Sequence, residues 1–218
     1  MDTSTRYAVV VEPVLEVTLV GTASLAVWQP HLEAEGLRYA AAGDTLPVVL
    51  SATQARYWGM TFREFSLSLL LNDSEALLFH AFNSNRFFAW VERSMFHTPY
   101  YPAAVSVAEQ HIALQEQGVS QFEATLPPSA AVVQSRDEQL ERRLWLKRLS
   151  AADPRAYFDA RLEGFTRYFD AAGCRIQFAP APHLHPALGL LSRSGFQVQH
   201  WTVRSIARHS KGQTIHPA

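Results

Sequence analysis

Phe87-Phe88-Ala89-Trp90-Val91-Glu92-Arg93-Ser94-Met95-Phe96-His97-Thr98-Pro99-Tyr100-Tyr101-Pro102-Ala103 passes from an apolar run at helical spacing, through a charged pair, into a stiff Pro-Tyr-Tyr-Pro segment. Adjacent residues on a helix do not face each other, so only one of Glu92 and Arg93 can point at a pocket. Arg93 is the more useful there, because a guanidinium binds a carboxylate in bidentate fashion. The competing reading of the pair is a solvated helix end. Pro99 and Pro102 fix φ and push the residue before each into extended geometry. If extended, Tyr100 and Tyr101 point to opposite faces, so one can enter a cavity while the other packs or meets solvent. A phenol stays protonated at neutral pH and serves as hydrogen-bond donor or general acid. His97 is a further proton-transfer candidate. Against this stands a packed turn whose aromatics fill the core.

Upstream of this stretch the chain reads mainly as β. Leu15–Ala26 and Leu46–Leu50 are apolar strands, and Glu75–Phe82 pairs with Phe62–Leu71 across the Asn72-Asp73-Ser74 turn. Phe62–Leu71 alternates: Arg63, Phe65, Leu67 and Leu69 lie on one face, Glu64, Ser66 and Ser68 on the other. A polar face in water is the simpler account. Alternatively that face lines a polar cavity inside a barrel, where Glu64 needs a partner such as Arg93, because a buried unpaired carboxylate becomes neutral. Downstream, Ala103–Leu114 and Val119–Leu126 read as strands. Arg136–Leu149 reads as an amphipathic helix on the spacing of Leu140, Leu144, Leu146 and Leu149. Asp153-Pro154 suits a helix start, and the expected helix runs through Tyr157, Phe158, Leu162, Phe165 and Phe169 to Gly173. Arg175–Phe178 is expected as a strand, Pro186–Ser194 as a short helix, and Gln197–Ile206 as a final strand. The expectation is a single α+β domain spanning 1–218, predominantly antiparallel β, with a closed or nearly closed barrel removing exposed edges.

At 218 residues and 48% hydrophobic composition, the chain can build its core without disulfides or metals. A net charge of -1 argues against a non-specific nucleic-acid binder. Cys174 is the only cysteine, which excludes an intrachain disulfide. Met1–Arg6 lacks a basic n-region leading into an apolar one, and Val9–Trp28 is interrupted by Glu12, Pro13, Glu16 and Gly21. No membrane span and a cytoplasmic location are therefore expected. His183 and His185 flank Leu184 between prolines, without a carboxylate or cysteine nearby to complete a metal set. No metal and no cofactor are expected. No phosphate-cradling glycine pattern or Gly-x-Ser-x-Gly elbow is present. The partner expected is a small-molecule ligand, and a homo-oligomer is compatible with the sequence.

Residues Phe62–Ala103 resemble the acetoacetate decarboxylase superfamily, in which a strand bearing a glutamate precedes a short helix with an arginine and then a Pro-Lys-Lys sequence. Glu64 matches that glutamate, Arg93 the arginine and Pro99 the proline. Tyr100 falls where the family's Schiff-base lysine would sit, and Tyr101 where its pKa-lowering neighbour would sit. A phenol cannot form an iminium. The chain has two lysines, Lys147 and Lys211, and neither follows a proline, so the resemblance implies the fold without the lysine mechanism at this position. Val91–Ala104, Leu162-Glu163-Gly164-Phe165-Thr166-Arg167-Tyr168 and His183–Pro186 are also similar to segments of the uncharacterised YqjF-like branch. There the first of these is a Leu-Pro-Tyr-Tyr-type turn and the second a helix.

Two functions follow. One is an enzyme acting on a small carboxylated or keto substrate by acid–base chemistry. In it Arg93 and Ser66 bind substrate, Tyr100 or Tyr101 donates a proton, and Glu64 or His97 moves one. Positioned acid–base groups supply about 10²–10⁴-fold in rate. The other is a non-catalytic binding or sensing domain that has lost decarboxylase activity.

Overall fold

The structure, a computed structural model, describes residues 7–39 and 43–217; the segment Met1–Arg6 lies outside it. In chain order the elements are β1 (Tyr7–Ser24), α1 (Leu25–Ala34), β2 (Thr45–Tyr57), β3 (Met60–Leu70), β4 (Glu75–Asn83), α2 (Arg86–Met95), β5 (Tyr100–Pro102) and β6 (Ala104–Ala108). There follow β7 (His111–Glu116), β8 (Val119–Thr125), β9 (Val132–Leu146), β10 (Ala156–Asp170), β11 (Arg175–Phe178), α3 (Pro186–Arg193) and β12 (Gln197–Gly212). No described helix is long and apolar enough to cross a membrane.

The order β3-β2-β1-β12-β10-β9-β4 closes on itself because β3 also pairs with β4, giving a ring of seven strands. Closure pairs every ring strand on both sides for at least part of its length, which reduces the aggregation hazard of an open sheet. β4 is the seam. One of its edges takes β3 antiparallel; the other takes β9 over Glu75–Leu78 and β5 over Ala81–Asn83, both parallel. A second sheet, in the order β11-β8-β7-β6, is antiparallel throughout. The main apolar core joins the outward face of the ring to this sheet and to the helices: Phe65, Leu67 and Leu69 of β3 belong to one cluster with Ile112, Leu114 and Phe122, with Trp28 of α1 and Leu188 of α3. Phe65 and Phe122 meet at 5.1 Å between ring centroids.

Local chemistry explains most of these elements. Asn72 accepts from the Ser74 amide at 2.9 Å, an Asx turn that folds β3 onto β4. Asn85 accepts from Phe87 and Phe88 amides and starts α2, and His185 accepts from Ala187 at the start of α3. The expected Ala103–Leu114 strand is instead a hairpin of β6 and β7. α1, unforeseen, buries Trp28 and Leu32 one turn apart.

The two long helices expected over Arg136–Leu149 and Asp153–Gly173 are strands, β9 and β10. Leu140 and Leu144 are four residues apart, a spacing that suits a helix turn and two steps of a strand equally well. Arg142 between them hid the alternation: Leu140, Arg142 and Leu144 all line the inside of the ring, beside Phe158, Ala160 and Leu162 of β10. β9 is paired on both sides over part of its length and β10 over most of its own, and such non-local pairing overrides weak helical propensity. Phe158 and Phe169 are an odd number of residues apart and so take opposite faces of β10, Phe158 inward and Phe169 in the outer core. Between them the register against β12 shifts, from Gly164 to Arg167, where the two backbones come close. Gly164 makes that close approach: a Cβ there would stand 3.1 Å from the Ile206 carbonyl oxygen. Gly164 and its neighbours in Leu162–Tyr168, read as a helix by resemblance, are therefore strand.

Candidate functional site

Glu64, Ser66 and Ser68 line a cavity of about 270 Å³ inside the ring. The polar face of β3 is half-buried and lines this cavity, so the simpler account of it, a face turned to bulk water, fails. Ser51 and Thr53 of β2 continue the polar wall, while Leu78, Leu140, Leu144 and Phe158 form an apolar wall. The cavity is thus two-sided, hydroxyl-rich toward β2 and β3 and greasy toward β9 and β10.

Glu64 is the cavity acid whose pKa is raised. Burial first, and the nearby Glu92 carboxylate second, push its pKa up to about 7, against the pull of Lys211, His209 and the Asn83 amide. Its partner is not Arg93. Asn83, fully buried at the end of β4, donates Nδ2 to Glu64 Oε1 at 2.8 Å and accepts the Asn85 amide with its Oδ1 at 2.8 Å. One side chain therefore holds the acid and sets the entrance to α2. The Tyr100 hydroxyl donates to Glu64 Oε2 at 3.3 Å. Burial, then the charges of Glu64 and Glu92, raise the Tyr100 pKa well above 10.0, so this phenol is a donor throughout the neutral range.

At the C-terminal end of α2, Glu92 turns inward and Arg93 outward. Lys211 of β12 enters the cavity and pairs with Glu92 at 2.5 Å. Its ammonium also lies 4.5 and 4.6 Å from the ring centroids of Phe96 and Phe158. The Thr98 hydroxyl, fully buried, meets Glu92 at its carbonyl oxygen (2.7 Å) and at Oε2 (2.9 Å). With a cation already in place, the inward position suits an acid and not a second cation. Arg93 is exposed and lies 4.7 Å over the Tyr101 ring. As extended geometry requires, Tyr101 takes the face opposite to Tyr100 and stacks on His80 at 4.8 Å. His97 closes the helix at φ 54, is exposed, and meets His216 edge-on at 5.8 Å. Of the residues picked from sequence, the cavity collects Glu64, Ser66 and Tyr100; Arg93, His97 and Tyr101 stay outside it.

Sequence reasoning missed the cavity groups that come from outside Phe62–Ala103. Glu16 of β1 accepts from Ser51 at 3.0 Å and pairs with Arg204 at 3.2 Å and His209 at 3.3 Å. Burial works against its ionisation, yet His209 and Arg204 outweigh it and hold the pKa at about 2. Arg204 reaches on to Glu138 at 2.7 Å. The usable signal was the spacing of His209 and Lys211, two apart. A last strand expected to end at Ile206 leaves both outside it, whereas β12 continues to Gly212 and carries them inward.

The His-Pro segment lies elsewhere. His185 packs 4.5 Å from His80 between ring centroids, and burial, His185 and Lys147 together push the His80 pKa down to about 3. Among the described residues no three His, Cys, Asp or Glu side chains are grouped to hold a metal ion.

No known family model matches the sequence, and no curated protein is similar to it. Solved structures do match. An acetoacetate decarboxylase-like enzyme from Sphingomonas wittichii RW1 aligns over 100% of this chain and 96% of its own, at 13% identity and a TM-score of 0.55. Acetoacetate decarboxylase from Legionella pneumophila subsp. pneumophila str. Philadelphia 1 aligns over 99% of this chain and 92% of its own, at 9% identity and a TM-score of 0.58. Matches of this extent at such low identity speak for the fold: this chain is an α+β protein, predominantly antiparallel β, with the acetoacetate decarboxylase-like fold.

Proposed function

We propose that the ring cavity binds a small carboxylated or keto compound and that Glu64 moves a proton on it. The observation that carries this reading is the Glu64–Tyr100 pair: a carboxyl poised near 7 facing a phenol that stays protonated, both lining the ring cavity. A base is most useful when its pKa lies near the working pH. Ionised Glu64 takes a proton next to a carbonyl, Tyr100 donates a hydrogen bond to the oxygen on which charge develops, and the Ser66 hydroxyl holds a polar group of the substrate. Both structural neighbours are described as acetoacetate decarboxylase or as like it, which supports a keto-acid class of ligand. It does not bring their chemistry, because tyrosines replace the lysines after Pro99. Lys211 does line the cavity, but its ammonium is engaged by Glu92. Kinship to the YqjF-like branch belongs to this proposal too, on Val91–Ala104 and Leu162–Tyr168.

A thermal-shift screen of short keto acids, lactones and aromatic acids identifies the ligand. For a compound that is turned over, Glu64→Gln and Tyr100→Phe each lower kcat by about 10²–10⁴-fold, and kcat/KM rises with pH through about 7 as Glu64 ionises. Binding without turnover identifies the sensing domain instead. Borohydride added with acetoacetate leaves the protein mass unchanged; a reduced adduct on Lys211 would refute the acid–base reading.

A further inference from the structure

Among the described residues, the charged groups lining the cavity are paired with two exceptions, Glu64 and Arg142. Glu16 is matched by Arg204 and His209, Glu92 by Lys211, and Arg161 by Glu163 and Glu141. Glu64 is held by the neutral donors Asn83 and Tyr100. Arg142 has no carboxylate of the described residues within ion-pair distance, and its side chain makes one hydrogen bond, from Nε to the Asp73 carbonyl at 3.3 Å. Burial disfavours its charge, and Asp73 and Glu138 offset this only from a distance while Arg204 adds to it. Arg142 is half-buried, and with no counter-charge among the described residues and with donors left over its guanidinium is free to take an anionic group.

The surroundings say what that group is. Arg142 is in register with Ala160, and Ala160 with Lys211, so a single small side chain separates the two cations along the inner wall. On either side of Arg142, Leu140 and Leu144 face inward, with Phe158 opposite Leu144. Arg142 also borders an outer hollow lined by Ser74, Glu75, Glu141, Arg143 and Asp159, so a ligand held by it sits at one end of the cavity. A single planar fork beside a greasy wall matches one carboxylate with an apolar body; a phosphate dianion would need more donors than this end provides.

We infer that Arg142 anchors the carboxylate of the cavity's ligand, and that this ligand is a monocarboxylic acid whose short apolar body lies along Leu140, Leu144 and Phe158. The inference rests on the cavity being a ligand site, as proposed above, and adds the anchor and the ligand class.

Hexanoate and its uncharged counterpart hexanamide, titrated calorimetrically into the full chain, separate the two claims. Wild-type protein binds hexanoate about ten- to hundredfold more tightly than hexanamide, the worth of a charge-assisted bond. Arg142→Gln brings the two ligands to parity, Arg142→Lys keeps part of the preference, and Arg93→Ala, at a residue outside the cavity, keeps all of it. In wild-type protein the Arg142 Nε resonance shifts on adding hexanoate and not on adding hexanamide, a readout that survives if Arg142→Gln fails to fold. Equal binding of the two ligands, or a preference that persists in Arg142→Gln, or an unmoved Nε resonance with hexanoate bound, overturns the anchor and leaves the ligand cavity standing. No binding of either ligand overturns both.

Discussion

β3 forms one wall of two very different spaces. Its outward residues Phe65, Leu67 and Leu69 are at most 1% exposed, in an apolar core shared with the second sheet. Its inward residues Glu64, Ser66 and Ser68 meet a cavity that also collects Glu16, Glu92, Arg142 and Lys211. The backbone hydrogen bonds are the same for both faces, so the difference lies in side chains alone. The dry face holds the fold together through close packing. The polar face contributes less to packing and instead holds charges in fixed relation, the condition for binding and proton transfer.

The sharpest test is a pair of neighbours. Phe65→Ala removes an aromatic ring from the dry face and is expected to cost about 3–5 kcal/mol in urea unfolding, whereas Ser66→Ala on the cavity face costs about 1 kcal/mol or less. Equal losses would erase the distinction between the faces.

The buried ions at the Glu16 end show when the polar face does become structural. Arg204 and Glu16 are 4% and 5% exposed, and Arg204→Ala leaves Glu16 and Glu138 without their shared cation, a loss of about 3–5 kcal/mol. Glu16 has its folded pKa below the ordinary 4.5, so its stabilisation is complete above that value and is lost as pH falls toward about 2. Unfolding free energy measured from pH 5 to pH 2 should therefore fall in the wild type and fall less steeply in Arg204→Ala.

Glu64 has the opposite sign in the same cavity. Its folded pKa lies above 4.5, at about 7, so between those values the unfolded chain ionises first. Stability then declines as pH rises, by on the order of 3 kcal/mol across the window. Glu64→Gln should remove that decline, seen by comparing urea midpoints at pH 5 and pH 8. A wild-type curve flat over this range would mean that Glu64 is not poised near neutrality.

The smallest effect is expected from Arg93→Ala. Arg93 is exposed over Tyr101, so its loss costs about 1 kcal/mol or less and leaves ligand affinity unchanged in the same calorimetric titration. A tenfold weakening would return Arg93 to the cavity.

The legible parts of the molecule were those with short-range causes. The alternation of β3, the turn at Asn72–Ser74, the helix before Pro99 and the divergence of Tyr100 from Tyr101 all follow from neighbours in sequence. Glu64, Ser66 and Tyr100 were found because they belong to that local set. β9 and β10 were misread because Leu140 and Leu144 suit two periods and the arginine between them masked the shorter one. Glu92 was passed over for Arg93 because the deciding charge, Lys211, lies 119 residues further on.

The amino-acid order thus determined that one strand would be divided into a polar and an apolar face, that a rigid segment would follow α2, and that no lysine would stand after Pro99. Only the tertiary structure decided that the polar face looks inward. The reason is closure: once β3 pairs with β4 and β12 runs on to Gly212, side chains from all seven ring strands, α2 and β5 share one cavity. There, which charges are matched and which, like that of Arg142, are left open depends on distances that no local pattern contains.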